Sequence, residues 1–199
     1  MRSDVKRIIV AITGATGAIY GVRILQRLLE AGVETHLVMS RWGARTLLHE
    51  TTWSRAQVEA LATHVHAPGD LGATISSGSF RTDGMIIAPC SAKTLAAIAH
   101  GYGDNLVHRA ADVILKERRR LVLAVREAPL SEIHLENMLK LARIGAVVLP
   151  PMPAFYNHPQ TIDDVVEHTV ARILDQFGLE LPDTARWSGE MGAGRAGGE

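Results

Sequence analysis

A doubly wound α/β domain, with helices on both faces of a parallel sheet, is the fold class that the sequence predicts. Two observations carry that expectation. Strand-like and helix-like patterns alternate along the chain, which is the mark of βαβ units. In addition, five short apolar runs, at 8–13, 35–39, 85–88, 121–125 and 146–149, each stop at residues able to hold a polar ligand. In an open parallel sheet, ligands bind in the crevice beyond the carboxyl ends of the strands. Polar groups gathered at that one edge therefore predict a single site.

Each element has its own signal. The first strand runs into a helix over 17–31, where Ile19, Val22, Leu25, Leu28 and Leu29 approach helical spacing and Gly32 ends the pattern. The second strand leads to helical segments over 41–50 and 54–62. Residues 64–83 are rich in Gly, Pro and Ser and read as one long loop, a length that is often functional. Helices follow over 92–100, 106–117, 131–144 and 162–177. The last has Thr161 as N-cap and Asp164 three residues on, a capping-box variant. A single domain over 1–180 is expected. The tail over 181–199 ends Gly192-Ala193-Gly194-Arg195-Ala196-Gly197-Gly198-Glu199 and reads as partly disordered.

At 199 residues the chain suits one core. A 47% apolar content with a mean hydropathy of +0.09 is high for a chain with 21% charged residues, and predicts apolar surface buried between subunits. Basic and acidic residues balance at 21 each, so neither nucleic acid nor a membrane surface is an expected partner. No apolar run approaches bilayer length. The lone cysteine, Cys90, excludes an intrachain disulfide framework and fits a reducing cytoplasm. It has no evident histidine partner and reads as a buried apolar residue. His134 and Glu136 lack metal-ligand spacing, and the nine histidines are not expected to gather as a site.

Thr13-Gly14-Ala15-Thr16-Gly17-Ala18-Ile19-Tyr20-Gly21 follows a strand and opens a helix. Glycines there let backbone approach a phosphate, and the helix N-terminus favours the anion. The motif alone suits a mononucleotide or a dinucleotide, in a Rossmann/flavodoxin-like sheet. A short-chain dehydrogenase would need a Tyr-x-x-x-Lys pair. Four residues after Tyr20, Tyr102 and Tyr156 stand Ile24, Leu106 and Gln160, so that reading fails.

Further motifs discriminate. Ala88-Pro89-Cys90-Ser91-Ala92-Lys93-Thr94 sets hydroxyls at a strand end. Arg109-Ala110-Ala111-Asp112-Val113, Leu115-Lys116-Glu117-Arg118-Arg119 and Val125-Arg126-Glu127-Ala128-Pro129 follow. Ile133-His134-Leu135-Glu136-Asn137-Met138-Leu139-Lys140 and Pro150-Pro151-Met152-Pro153-Ala154-Phe155-Tyr156 complete the set. With the glycine turn, these stretches make the chain resemble the UbiX-type flavin prenyltransferases, formerly described as phenolic-acid decarboxylase subunits, over roughly 8–179. The resemblance implies that reduced FMN is a substrate and that a dimethylallyl group from dimethylallyl monophosphate is joined to it at N5 and C6. The product, prenylated FMN, serves UbiD-type decarboxylases. It implies further a metal-independent reaction and a homo-oligomer, a dodecamer. By matching position, FMN would contact Gly14, Ala15, Thr16, Ser40, Ser91, Ala92, Lys93, Thr94 and Arg126. Lys116, Arg126, Tyr156 and Arg172 would hold the allylic phosphate. Glu50 matches the proton-transfer position, with Thr16 and Glu127 beside it in the site.

The residue chemistry agrees with that assignment. An allylic phosphate leaves when its developing charge is stabilised, and Arg, Lys and Tyr are strong donors to phosphate oxygens. Each charge-assisted bond contributes about 1.5–3 kcal/mol. Alkylation at a ring carbon ends with loss of its proton, so one carboxylate base is required, and Glu50 is the candidate. An allylic cation asks for electron-rich walls, a role open to Tyr20, Trp187 or the flavin itself.

Duller readings stand beside these. Glu50 could simply end a helix, Lys116 could belong to a solvated helix end, and Arg172 could be a surface residue. Asp163-Asp164-Val165-Val166-Glu167 looks like a magnesium-binding aspartate motif, but it occurs once, in a first helical turn where carboxylates are expected. Two departures from the family pattern stand out. Thr16 replaces a frequent serine, and residues 70–80 lack a tryptophan that some members place near the prenyl pocket. Two other functions stay open: an FMN-dependent decarboxylase of the peptidyl-cysteine type, and a non-catalytic flavin carrier. Pro151-Met152-Pro153 does not continue as the Pro-x-Met-Asn of the former.

Overall fold

The computed structural model describes residues 5–182 together with 184, 186 and 189. Six parallel strands form one sheet: β1 (Arg7–Ile12), β2 (Glu34–Met39), β3 (His64–His66), β4 (Gly84–Cys90), β5 (Arg120–Val125) and β6 (Val147–Val148). Their order is β3-β2-β1-β4-β5-β6, with all pairings parallel. That is the Rossmann-type doubly wound order, and it reverses direction between β1 and β4. Among the described residues seven α-helices flank the sheet: α1 (Ala18–Glu30), α2 (Arg41–Glu50), α3 (Arg55–Glu59), α4 (Ala92–Ala99), α5 (Leu106–Lys116) and α6 (Glu132–Arg143) between strands, and α7 (Ile162–Asp175) after β6.

Alternation along the strands builds two cores. In β1, Ile8, Val10 and Ile12 face one layer with side chains of α1, α2, α3 and α7. Ile9 and Ala11 face the other, with α4, α5 and α6. Both faces of the central strands are thus buried, which is why these segments read as apolar runs and not as alternating ones. Helix starts follow side-chain chemistry. Ser40, Ser91 and Asn105 cap α2, α4 and α5, while Ser54, Ser131 and Thr161 open α3, α6 and α7 with reciprocal capping boxes. The Thr161–Asp164 pair is therefore the helix start expected of it. Asp163 pairs with Arg23 of α1, and Glu167 bonds both Arg23 and Arg27, so α7 is strapped to α1 by charge. The carboxylates of the aspartate-rich stretch thus serve the helix start and the strap to α1.

One correction concerns residues 64–83. The stretch is not loop throughout, because His64–His66 pairs with β2 as the sheet's edge strand and Thr74–Ser76 forms a 3-10 turn. Three residues at an exposed edge, of which Val65 alone is apolar, are too few to show a strand period. The expected disordered tail, and Trp187 within it, lie almost wholly outside the described residues. Among the described residues no helix is long and apolar enough to cross a membrane.

Close approach at one glycine fixes how α2 meets the sheet. A Cβ on Gly43 would lie 2.4 Å from the carbonyl oxygen of Ile12, a backbone atom that cannot swing aside. Gly43→Ala should destabilise the fold by about 1–3 kcal/mol, as overpacking does. A thermal melt should register this as a lower Tm, and an unchanged Tm would show that α2 can move freely.

Candidate functional site

The sheet reverses its order between β1 and β4, and the two strand ends are tied there by one hydroxyl. Thr13 Oγ1 donates to the Pro89 carbonyl at 2.7 Å and accepts from the Ser91 amide at 2.9 Å. The Thr13 amide also reaches Pro89 O at 3.2 Å, and the side chain is buried. Immediately after it the chain turns sharply, with the Ala15 amide on Thr13 O at 2.9 Å. Gly17 then enters α1 at φ 96°, a left-handed geometry that glycine adopts without strain. Gly14 lies against Trp42, where a Cβ would meet the Trp42 Cβ at 2.5 Å.

The turn already seats an anion. Glu50, the last residue of α2, accepts from the Gly17 amide at 2.8 Å and the Ala18 amide at 3.2 Å, both through Oε2. A carboxylate at the start of α1 is what the helix dipole and its unpaired amides favour. This places Glu50 beside the glycine turn. Tyr20 stands next to it, since a Cβ on Gly17 would lie 2.9 Å from the Tyr20 ring. Burial pushes the Tyr20 phenol up from its ordinary pKa, against a hydrogen bond with Thr169.

Hydroxyls converge from the neighbouring strand ends. Ser40, at the end of β2, donates its amide to Ile12 O at 3.0 Å and accepts from the Gly43 amide at 3.0 Å. Ser91 Oγ caps α4 through the Thr94 amide at 3.3 Å and donates to Thr94 Oγ1 at 3.1 Å. Ala92 is half-buried and Lys93 exposed on the first turn of α4. The Arg126 amide bonds Cys90 O at 3.0 Å, which pins that residue beyond β5 beside the end of β4. Its side chain is exposed, and Glu127 beside it accepts from the Ala128 amide at 3.2 Å. Gly14, Ala15, Thr16, Ser40, Ser91, Ala92, Lys93, Thr94, Arg126, Glu127 and Glu50 therefore share one edge of the sheet. Cys90 is fully buried and its thiol is pushed up to about 12, so it is no nucleophile.

Lys116, Tyr156 and Arg172 do not join them within one chain. Lys116 ends α5, just before the amino end of β5, and pairs with Glu117 near Gly78. Arg126 follows the carboxyl end of the same six-residue strand, roughly 20 Å of extended chain away. Tyr156 and Arg172 meet instead in a cavity of about 390 Å³ that His168, Asp175 and Arg186 also line. Tyr156 OH lies 3.4 Å from His168 Nε2, and Arg172 donates to Asp175 at 2.8 Å. The expectation of one shared pocket is thus corrected for the single chain, because these side chains sit on elements that reach different edges.

A second correction concerns histidine. His36 and His64 lie directly opposite each other on β2 and β3, with Glu34 and His66 on the same face. They were not expected to cluster, since the register that aligns 36 with 64 is a tertiary fact. The only signal in the sequence is the period-two spacing of Glu34 with His36 and of His64 with His66.

Comparison with known proteins bears on this geometry. A family model described as Flavoprotein matches residues 2–174. A probable UbiX-like flavin prenyltransferase of Streptomyces sp. (strain D7) is 65% identical over 96% of this chain and 95% of its own. The crystal structure of AnUbiX (PadA1) in complex with FMN and dimethylallyl pyrophosphate superposes with a TM-score of 0.93 at 55% identity, covering 94% of this chain and 100% of that one. A dodecameric FMN-dependent UbiX-like decarboxylase from Escherichia coli O157:H7 gives 0.90 at 64% identity, covering 91% and 98%. A PPC decarboxylase, at 20% identity and a TM-score of 0.62, shares the fold alone.

Replacing Thr13 by valine keeps the shape but removes both of its side-chain hydrogen bonds and leaves Pro89 O and the Ser91 amide short of partners. Thr13→Val should lower stability by about 1–3 kcal/mol. Urea unfolding should show this as an earlier midpoint at unchanged slope; an unmoved midpoint would mean that the bridge contributes nothing.

Proposed function

Because the chain belongs to the flavoprotein family, in its UbiX-like flavin prenyltransferase branch, we propose flavin prenyl transfer as its activity. A dimethylallyl group passes from dimethylallyl monophosphate to reduced FMN at N5 and C6, giving prenylated FMN for a UbiD-type decarboxylase. The observation that carries this reading is the cradle at the reversal of strand order. There a glycine turn, three hydroxyl residues (Ser40, Ser91 and Thr94) and a helix start already holding a carboxylate meet within one sheet edge.

The residues divide the work by chemistry. The backbone of Gly14, Ala15 and Thr16, with Ser40, Ser91, Ala92, Lys93, Thr94 and Arg126, binds and orients FMN. Reduced FMN supplies the nucleophilic ring positions. Lys116, Arg126, Tyr156 and Arg172 donate to the phosphate and stabilise its negative charge as it leaves, which makes a metal unnecessary. Glu50 takes the ring proton, and its seat on the Gly17 and Ala18 amides keeps it beside the turn. Thr16 and Glu127 complete the polar wall. The catalytic unit is the single domain over 1–180, working in the cytoplasm, where Cys90 stays a free thiol.

The full set of cations requires more than one copy. The dodecamer of the Escherichia coli relative supplies the arrangement, and the chain's surface supports it. Met152, Phe155 and Ile162, which flank Tyr156, are 69%, 74% and 84% exposed in the isolated chain. Side chains of that size so exposed belong at an interface between copies.

Two experiments test the proposal. Protein incubated anaerobically with reduced FMN and dimethylallyl monophosphate, without magnesium, should yield a flavin heavier by one dimethylallyl unit. Recovery of unchanged FMN alone from folded protein rejects prenyl transfer. The sharing of sites is tested by mixing inactive Lys116→Ala and Arg126→Ala chains during assembly. About a quarter of the sites should then draw both intact residues from different copies and regain activity. Activity that stays absent in correctly assembled mixtures would place both residues in one chain's site.

A further inference from the structure

At the edge of the sheet remote from the cradle, three potential ligands converge on the α4–α6 face. Glu34 and His36 project to that face from β2, two residues apart, and His64 stands opposite His36 in the parallel register with β3. His36 Nε2 lies 3.1 Å and His64 Nε2 3.6 Å from Glu34 Oε1, and the three ligand atoms all lie within 4.8 Å of one another. Tetrahedral zinc with bonds of about 2.0–2.1 Å separates its ligand atoms by about 3.3 Å, so a small closure of His64 would complete three corners.

The surroundings resemble a built outer shell. His36 is 3% exposed, and its Nδ1 lies 2.9 Å from His66 Nε2, an arrangement that fixes the ring and directs Nε2 at Glu34. The Phe80 ring packs edge-on against His36 and carries the Arg7 guanidinium on its face. Arg7 also grips Glu34, Nε to Oε1 (the oxygen the two histidines face) at 2.6 Å and Nη2 to Oε2 at 2.8 Å. A carboxylate has about four lone-pair positions, so it can serve Arg7 and a cation together. His64 is half-exposed, which leaves the fourth corner open to water.

We propose that Glu34, His36 and His64 form a binding site for a divalent borderline metal ion of the zinc class, with His66 as the outer-shell partner of His36. Two imidazoles and one carboxylate suit zinc, cobalt or nickel better than magnesium or calcium. The ion would clip the three-residue edge strand β3 to β2. The site shares no residue with the prenyl-transfer machinery, so its fate and that of the proposed activity are independent.

The test uses the full-length protein, freed of metal by chelator dialysis. Titration with Co²⁺ should produce the visible absorption of a tetrahedral ion, saturating at one equivalent and abolished by Zn²⁺. Calorimetry with Zn²⁺ should give His64→Ala at least tenfold weaker binding and His66→Ala roughly tenfold weaker binding, the range expected for outer-shell partners. Because His64 is exposed, its loss should leave the circular dichroism spectrum unchanged, and Zn²⁺ should raise the Tm of the parent but not of His64→Ala. Absence of saturable binding in the parent, or binding equal in parent and His64→Ala, overturns the site.

Discussion

The side chain of Thr13 joins the two central strands at the edge where their order reverses, and most of the candidate site is placed relative to it. Its hydroxyl reaches both Pro89 and Ser91, so the glycine turn after β1 and the cap of α4 after β4 are held as one unit. Ser40 is attached to the same unit through Ile12, whose carbonyl lies so close to Gly43 that no side chain fits between. Glu50 closes the arrangement by returning from the end of α2 to the start of α1. Hydroxyl, glycine and carboxylate are thus fixed by backbone contacts, which makes the cradle a property of the sheet and not of loose side chains.

The parts legible in the sequence were those set by local rules. Helix α2 and the starts of α4, α5 and α7 fall at the expected residues, α7 after the cap Thr161, because local signals lie within a few residues of the element they specify. The central strands were readable because both of their faces are buried. Strand β3 was not, since three residues at an exposed sheet edge, with Val65 the one apolar member, are too short a run to read as a strand. The histidine group was hidden for a related reason. His36 is 28 residues from His64 and 30 from His66, and only parallel pairing of β2 with β3 brings them together.

The cations show the limit from the other side. Their residue types are ones that can donate to a phosphate, yet no sequence rule says which edge of the sheet a helix end will reach. Lys116 follows α5 to the amino edge while Arg126 stands at the carboxyl edge, and Tyr156 with Arg172 is carried by the segment strapped to α1. Arg23 and Arg27 hold that strap through Asp163 and Glu167. These acidic residues resemble a metal motif in sequence, but in the fold they neutralise two arginines between helices.

The burial of Cys90 has a bearing on the chemistry around it. Reduced flavins give peroxide with air, and thiols at flavin sites are its usual casualties once they ionise. Here the sole sulfhydryl lies directly under the cradle but is buried in the core between the sheet and α4–α6, donates to the Ser91 carbonyl at 3.8 Å, and stays protonated across the physiological range. An oxidant reaching this edge would therefore find no exposed thiolate to convert, because the packing of β4 keeps the sulfhydryl buried and protonated.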